Sequence, residues 1–311
     1  MRVSVVIPLL NEERVLPELL RRLRSVLDRL PGGPHEIVIV DDGSMDSTPD
    51  ILRRESQDDN RLVGVVLSRN FGHQAALSAG LAQVSGDAII AMDGDLQDPP
   101  ESIPLFLEKY ERGYDVVYAQ RVQRKEVWWL RLCYYTFYRL ITALSGIRLP
   151  LDAGDFGLMS RRVVNQLLEM PEYHRYLRGM RTWVGFRQTG IPIERAERHA
   201  GEPKYSTFKL LKLASDGIFS FSIVPLRFAA ILGAVAILLS AVYAAFALYA
   251  RVFLNRSPQG FTALIFAITF LAGVQLFFMG VIGEYVGRLY EASKARPVYI
   301  VADKFGGARP D

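Results

Sequence analysis

Glu36-Ile37-Val38-Ile39-Val40-Asp41-Asp42-Gly43-Ser44 is the stretch whose reading decides the fold. Four consecutive β-branched apolar residues with no polar alternation read as a strand buried on both faces, the kind found inside parallel sheets. The run stops at two carboxylates and a glycine, which marks a turn at its carboxyl end. Similar short runs lie at Val3 to Pro8, Leu62 to Ser68, Asp87 to Asp93 and Asp115 to Gln120. Between them Glu12 to Leu30, Thr48 to Ser56 and Gly72 to Val84 carry apolar residues at helical spacing. Strand and helix alternating in this way predict an α/β domain with a mostly parallel sheet covered on both faces. Ligands of such sheets bind beyond the carboxyl ends of the strands, so those ends are where chemistry is sought.

Carboxylates cluster at those ends: Pro8-Leu9-Leu10-Asn11-Glu12 after the first strand, Asp41-Asp42-Gly43-Ser44 after the second, and Asp93-Gly94-Asp95-Leu96-Gln97-Asp98 after the fourth. One acidic pair after a strand is ordinarily a turn or a helix cap. Two such clusters on neighbouring strands point instead to a shared site. Asp93 and Asp95 flank a glycine, so a turn can aim both at one hard cation, with Gln97 adding an oxygen. Mg²⁺ or Mn²⁺ takes sparse oxygen sites of this kind and shares them with substrate phosphates. No glycine-lysine phosphate loop and no glycine-rich dinucleotide fingerprint is present, so a nucleotide diphosphate would be held by metal and arginines.

The second half of the chain has another character. Phe228 to Ala250 and Ser257 to Gly283 are stretches of 23 and 27 residues without a formal charge. Each exceeds the roughly 20 residues that cross a bilayer as helix, and core helices of soluble domains rarely run so long uncharged. Lys204, Lys209, Lys212 and Arg227 precede the pair and Arg288, Lys294 and Arg296 follow it, whereas the link carries only Arg251 and Arg256. By the positive-inside rule both termini then face the cytoplasm. The expected organisation is a catalytic domain over 1–205, a juxtamembrane amphipathic helix over 206–226, a hairpin over 227–290 with spans near 228–250 and 261–283, and a cytoplasmic tail over 291–311. Trp128-Trp129-Leu130, Tyr134-Tyr135 and Phe137-Tyr138 with Arg131 and Arg139, and Phe208 to Phe221, have the aromatic and basic mix that favours the headgroup region. Packing of both stretches on the domain core is the alternative. No secretory signal precedes the first strand, which makes a bacterial inner membrane the expected location.

Composition sets the remaining bounds. The net charge of +4 does not suggest a nucleic-acid partner, and the single cysteine, Cys133, excludes an intramolecular disulfide. His35, His73, His174 and His199 are scattered, and no two of them read as a metal pair.

Val5-Val6-Ile7-Pro8 with Asn11-Glu12, Val40-Asp41-Asp42-Gly43-Ser44 and Asp93-Gly94-Asp95-Leu96-Gln97-Asp98-Pro99-Pro100-Glu101 resemble the family 2 glycosyltransferases of GT-A fold. Ser68-Arg69-Asn70-Phe71-Gly72, Asp152-Ala153-Gly154-Asp155-Phe156, Gly201-Glu202-Pro203-Lys204-Tyr205 and the terminal hairpin are similar to the polyprenyl-phosphate branch, which contains dolichyl-phosphate mannose synthases and undecaprenyl-phosphate glucosyltransferases. The resemblance implies that Pro8, Leu10, Glu12, Val40 and Asp41 bind base and ribose. It implies that Asp93, Gly94, Asp95 and Gln97 face the metal and donor diphosphate, and that Arg121 faces phosphate. Asp155 matches the residue proposed as the base, with Asp95 and Arg121 beside it in the catalytic set, and Arg198 and Lys204 match positions that hold the lipid phosphate. Pro203 departs from the family, which usually has Ser there. The implied reaction is inverting transfer of a hexose, glucose from UDP-glucose, to undecaprenyl phosphate, supported by Mg²⁺ or Mn²⁺. Mannose from a GDP donor, an amino-pentose from a UDP donor, and a non-catalytic nucleotide-sugar-binding scaffold are the alternatives. Gly233, Gly273, Gly280 and Gly283 leave room for close helix approach, and with the resemblance they imply a homo-oligomer, as large as a tetramer.

Overall fold

β1 (Val3–Leu9) and β2 (Glu36–Asp41) are buried at every position and lie side by side in parallel, Val5 opposite Ile37 and Leu9 opposite Asp41. The structure is a computed structural model that describes residues 1–121, 153–173, 175–194, 224–253 and 260–307. β3 (Leu62–Leu67) extends the parallel set beyond β2, and β4 (Ala88–Ala91) flanks β1 on its other side. β5 (Val116–Arg121), β6 (Ala153–Ser160), β7 (Gln188–Ile193) and β8 (Val301–Gly306) complete an eight-stranded mixed sheet in the order β7-β5-β6-β4-β1-β2-β3-β8. β6 runs antiparallel to both β4 and β5, and β8 runs antiparallel to β3.

Helices cover both faces. α1 (Leu16–Leu27) buries Leu16, Leu19, Leu20, Leu23 and Leu27, the one-sided stripe that a 3.6-residue period gives, against the face bearing Val5, Ile7, Ile37 and Ile39. α2 (Thr48–Asp58) and α4 (Ile103–Glu111) share this face through Leu52 and Phe106, and the Phe106 ring meets Phe156 of β6 edge-on at 4.8 Å. α3 (His73–Leu81), α5 (Arg161–Glu169) and α6 (Leu177–Trp183) pack on the opposite face through Ala76, Leu77, Val163, Val164 and Met180. With both faces covered, the strands can be Val- and Ile-rich without alternation, as the sequence of β2 implies.

α7 (Val224–Phe253) and α8 (Phe261–Ser293) form the expected apolar hairpin, the rings of Phe228 and Phe278 meeting across it at 6.5 Å. Their apolar windows, Leu226–Phe246 and Ala267–Ser293, have mean hydropathies of 2.3 and 1.7 and are long enough to span a membrane. Most of their large side chains are exposed, among them Leu238, Phe246, Leu276 and Phe277.

Ala153 to Phe156, part of the motif that begins at Asp152, open the strand β6. Two expectations change. α8 continues to Ser293, well past the expected end of the second span near 283. Within 291–311, expected as a cytoplasmic tail, Val301–Gly306 returns to the sheet as β8 and covers the edge of β3, so the domain's sheet is not confined to 1–205. The juxtamembrane helix over 206–226 and the aromatic stretches Trp128 to Tyr138 and Phe208 to Phe221 lie, apart from the first residues of α7, outside the described residues.

Candidate active site

The carboxyl ends of β1, β2 and β4 open at one end of the sheet, and the start of antiparallel β6 joins them there. Ala91 of β4 faces Gly157 of β6, and just beyond this last pair Asp93 and Asp155 both come within 3.6 Å of His73 Nε2. This topology explains how residues far apart in sequence reach one place.

The β1 and β2 ends are locked together. Asn11, with φ 55°, donates its amide to the Ser44 hydroxyl at 2.8 Å and accepts from the Met45 amide at 2.9 Å. The Glu12 amide donates to Thr48 Oγ1 at 3.0 Å. Pro8 lies opposite Val40, and Leu10 and Glu12 follow on the interlocked loop. Asp41 is fully buried; its Oδ2 accepts the Ser44 amide at 3.2 Å, while its Oδ1 has no hydrogen-bond partner. Burial pushes the Asp41 carboxyl up, against the pull of the Ser44 bonds. A buried acceptor left unpaired costs about 1–3 kcal/mol, and a ligand N–H or O–H entering here would satisfy it. Asp42 has a different task. Its carboxylate accepts the amides of Phe71 and Gly72 at 2.8 and 2.9 Å, which fixes the loop delivering α3 to the site.

After β4 the chain turns through Asp93-Gly94-Asp95. A Cβ on Gly94 would stand 2.0 Å from the buried Leu9 Cδ2, so a side chain here would have to displace Leu9 at the end of β1. Asp95 Oδ1 accepts the Gln97 amide at 3.1 Å, and the buried Leu96 takes the left-handed φ of 59°, which costs roughly 1–3 kcal/mol.

Asp155, its side chain 8% exposed, is the hub of the cluster. Arg178 of α6 forks onto it, Nε to Oδ1 at 2.7 Å and Nη2 to Oδ2 at 2.9 Å. His73, the first residue of α3, places Nε2 3.6 Å from Asp155 Oδ2 and 3.5 Å from Asp93 Oδ1. Burial acts to raise the Asp155 carboxyl, but Arg178 and His73 outweigh it and hold the group well below the usual carboxylate range. Burial acts to lower His73, but Asp155 and Asp93 outweigh it and the imidazole is raised. Arg181, 4% exposed, lies behind the pair with Nη2 3.5 Å from the Gly154 carbonyl and its guanidinium 5.5 Å from the Tyr118 ring centre. Burial pushes it down to about 10, with Asp155 opposing.

His73 is thus one of a metal-competent trio with Asp93 and Asp155, ligand atoms all within 4.8 Å, where the sequence alone suggested no histidine pairing. Its signal was available: it follows a strand end and opens a helix, the position at which an α/β sheet collects its ligands. Arg178 and Arg181 carried no such mark, because they stand on a helix 23 and 26 residues beyond Asp155 in a stretch without a motif. Asp93, Gly94, Asp95, Gln97 and Asp155 converge with the loops of Pro8 to Glu12 and Val40–Asp41, and Arg121 ends β5 at this same end of the sheet. Arg198 and Lys204 lie outside the described residues.

Residues 4–168 match the glycosyl transferase family 2 model and residues 224–289 match the GtrB C-terminal hairpin. The chain is a family 2 glycosyltransferase. An uncharacterized glycosyltransferase of Synechocystis is 45% identical over 97% of this chain and 95% of its own length. A bactoprenol glucosyl transferase of Shigella phage SfV is 38% identical over 98% of this chain and 99% of its own. In fold the glycosyltransferase is similar to glucosyl-3-phosphoglycerate synthase from Mycobacterium tuberculosis, solved with Mn²⁺, uridine diphosphate and glucosyl-3-phosphoglycerate. The TM-score is 0.50 at 22% identity, over 70% of this chain and 77% of that one. The GT-A architecture implied by the motifs is therefore present, joined to a hairpin of a second matched family.

Proposed function

We propose that this glycosyltransferase moves glucose from UDP-glucose to a polyprenyl phosphate of the undecaprenyl class, at the cytoplasmic face of a bacterial membrane that α7 and α8 cross. The observation that carries the reading is similarity over the whole length, hairpin included, to proteins named bactoprenol glucosyl transferases. The site geometry supports it: a buried, unpaired Asp41 oxygen where a nucleotide would enter, and carboxylates beside fixed cations where its diphosphate would lie.

In this reading an anionic oxygen of the lipid phosphate attacks the anomeric carbon as the bond to the diphosphate oxygen breaks. UDP leaves, and the in-line displacement inverts the centre to a β-linked product. The acceptor needs no base, being already ionised near neutral pH. Asp155, both oxygens taken by Arg178, serves to hold Arg178 and His73 toward the reacting phosphates rather than to remove a proton. Arg178 and His73 offset the charge that grows on the leaving group, together with Arg121, Arg198 and Lys204. The donor set fits a hard divalent cation: Asp93 with Asp95 and Gln97 would hold Mg²⁺ or Mn²⁺, which when bound supplies Lewis-acid charge to the diphosphate. Because Asp155 already serves Arg178, the main metal-facing carboxylate is Asp93.

The test is transfer of labelled sugar from a panel of UDP- and GDP-sugars to undecaprenyl phosphate in detergent, with Mg²⁺, Mn²⁺ or EDTA. One donor should give a chloroform-extractable product that EDTA abolishes. Bound nucleotide without lipid product from any donor would overturn the reading in favour of a binding scaffold.

A further inference from the structure

β8 is more than an edge cover. It follows α8 after only residues 294–300, a link that can reach at most about 25 Å. The link therefore ties the end of an apolar, membrane-length helix to the catalytic sheet. β8 is also seated by specific features. Phe305 lies across Gly64 of β3: a Cβ there would stand 2.2 Å from Phe305 Cε2, so the ring occupies the space that glycine leaves. Arg53 of α2 pairs with Asp303 at 2.5 Å and sits 4.6 Å over the Phe305 ring. Lys304 Nζ donates to Gln83 Oε1 at 2.7 Å, and the Gly307 amide donates to the Leu62 carbonyl at 3.0 Å.

The other end of this segment reaches toward the site. The Ser68 amide, at the end of β3, donates to the Ile300 carbonyl at 2.9 Å. Ser68 opens the loop whose far end, Phe71 and Gly72, is held by Asp42 and delivers His73. That loop therefore has two anchors, one from the donor end of β2 and one from the segment leaving the membrane helix. Tyr299, half-buried in the cluster beneath α3 and α5, feels the charge of Arg175, whose Nη2 donates to the Leu167 and Met170 carbonyls just ahead of α6, the helix of Arg178. An edge cover needs strand pairing; it needs neither a short tether nor a bond to the loop that delivers His73.

We infer that residues 294–307 form a positioning strap, which fixes the height and orientation of the catalytic centre over the membrane by tying the end of α8 to β3 and the Ser68–Gly72 loop. The strap rests on the proposed function only for the lipid nature of the acceptor. It lets a reacting centre built in a soluble-type domain meet a phosphate whose tail stays in the bilayer.

The decisive variant inserts about eight Gly/Ser residues between Lys294 and Ala295 of the full-length protein, leaving every β8 contact available. Two measurements read it. The first is pulsed spin-label distance in nanodiscs between Leu105→Cys on α4 and Ser293→Cys at the end of α8, in a Cys133→Ser background. The strap requires one narrow distribution without the insertion and a broad one with it. Equal widths would overturn it whatever the protein transfers. The second is the ratio of transfer to undecaprenyl phosphate in vesicles over transfer to water-soluble geranyl phosphate. That ratio should fall about tenfold with the melting temperature unchanged, and an unchanged ratio would leave β8 as edge cover alone. Phe305→Ala, which unseats β8, should broaden the distances in the same way. Absence of transfer by the uninserted protein to either acceptor would sink the proposed reaction, and the distance measurement would still decide the strap.

Discussion

Asp155 concentrates the electrostatics of the site at one residue. Its two bonds from Arg178 and its approach to His73 make it a fixed anion that holds the two side chains side by side. Removing the carboxylate leaves Arg178 largely buried without its counter-charge, a loss of about 3 kcal/mol. Asp155→Asn should therefore unfold at lower denaturant, and Asp155→Asn/Arg178→Gln should recover at least half of the loss. Simple addition of the two single effects would show that the pair is not coupled. Asp93, which faces His73 and would be the main carboxylate holding the metal that meets the diphosphate, behaves differently. Asp93→Asn should lower transfer by about 10²- to 10³-fold, with melting behaviour nearly unchanged, as measured by initial rates beside thermal scans. The sequence made Asp93 legible because it follows a strand run at the ligand-binding end of the sheet, whereas Asp155 was reached only through the resemblance of Asp152-Ala153-Gly154-Asp155-Phe156 to a family motif. Arg178 was hidden, since a helix arginine in a stretch without a motif looks the same whether it is solvated or turned inward.

At the scale of elements, tightness at the turn after β4 and charge between α1 and α2 give separate tests. Gly94→Ala would drive a methyl into Leu9, buried at the end of β1. Overpacking of this kind costs about 1–3 kcal/mol and should displace Asp93 and Asp95, so metal affinity measured by Mn²⁺ titration should fall together with stability. Asp59, just after α2, accepts from Arg24 of α1 at 2.9 Å and from Arg61 Nε and Nη2 at 3.0 and 3.1 Å. Burial acts to raise its carboxyl, but the arginine bonds outweigh it and hold the group down at about 2. A carboxyl depressed in the folded state stabilises the protein above its unfolded value near 3.8 and loses that contribution as pH falls toward 2. The contribution is about 2 kcal/mol. Asp59→Asn should thus lower stability at pH 7 by roughly that amount and converge with the parent protein near pH 2, which denaturant melts across that range would show. Elements were readable in the sequence to unequal depth. The runs of β1, β2 and β3 stand out because both faces are buried and the residues are β-branched. β6 did not, since Ala153-Gly154-Asp155-Phe156-Gly157-Leu158-Met159-Ser160 has no β-branched residue and owes its strand to register with Ile89 and Ile90. β8, with Asp303 and Lys304 on a short edge strand, has the charged composition that protects sheet edges and that reads as a tail.

For the whole molecule, the division into an α/β domain and an apolar hairpin was legible from charge alone, because 23 and 27 uncharged residues in succession have few other homes. The return of the chain to the sheet after α8 was not, because pairing between β3 and β8 joins positions more than two hundred residues apart and leaves no local pattern. The consequence is a sheet built from both sides of the hairpin in sequence, β1 to β7 before it and β8 after it. The account stands on transfer to a lipid phosphate. The measurement that tests it most directly is the partition of label after incubating full-length protein with radiolabelled UDP-glucose, Mg²⁺ and undecaprenyl phosphate, with undecaprenol as the phosphate-free control acceptor. The account predicts label in the chloroform phase with the phosphate acceptor and none with the alcohol, and loss of that label in Asp93→Asn. Label retained in the aqueous phase with undecaprenyl phosphate, from protein that binds UDP-glucose, would contradict it.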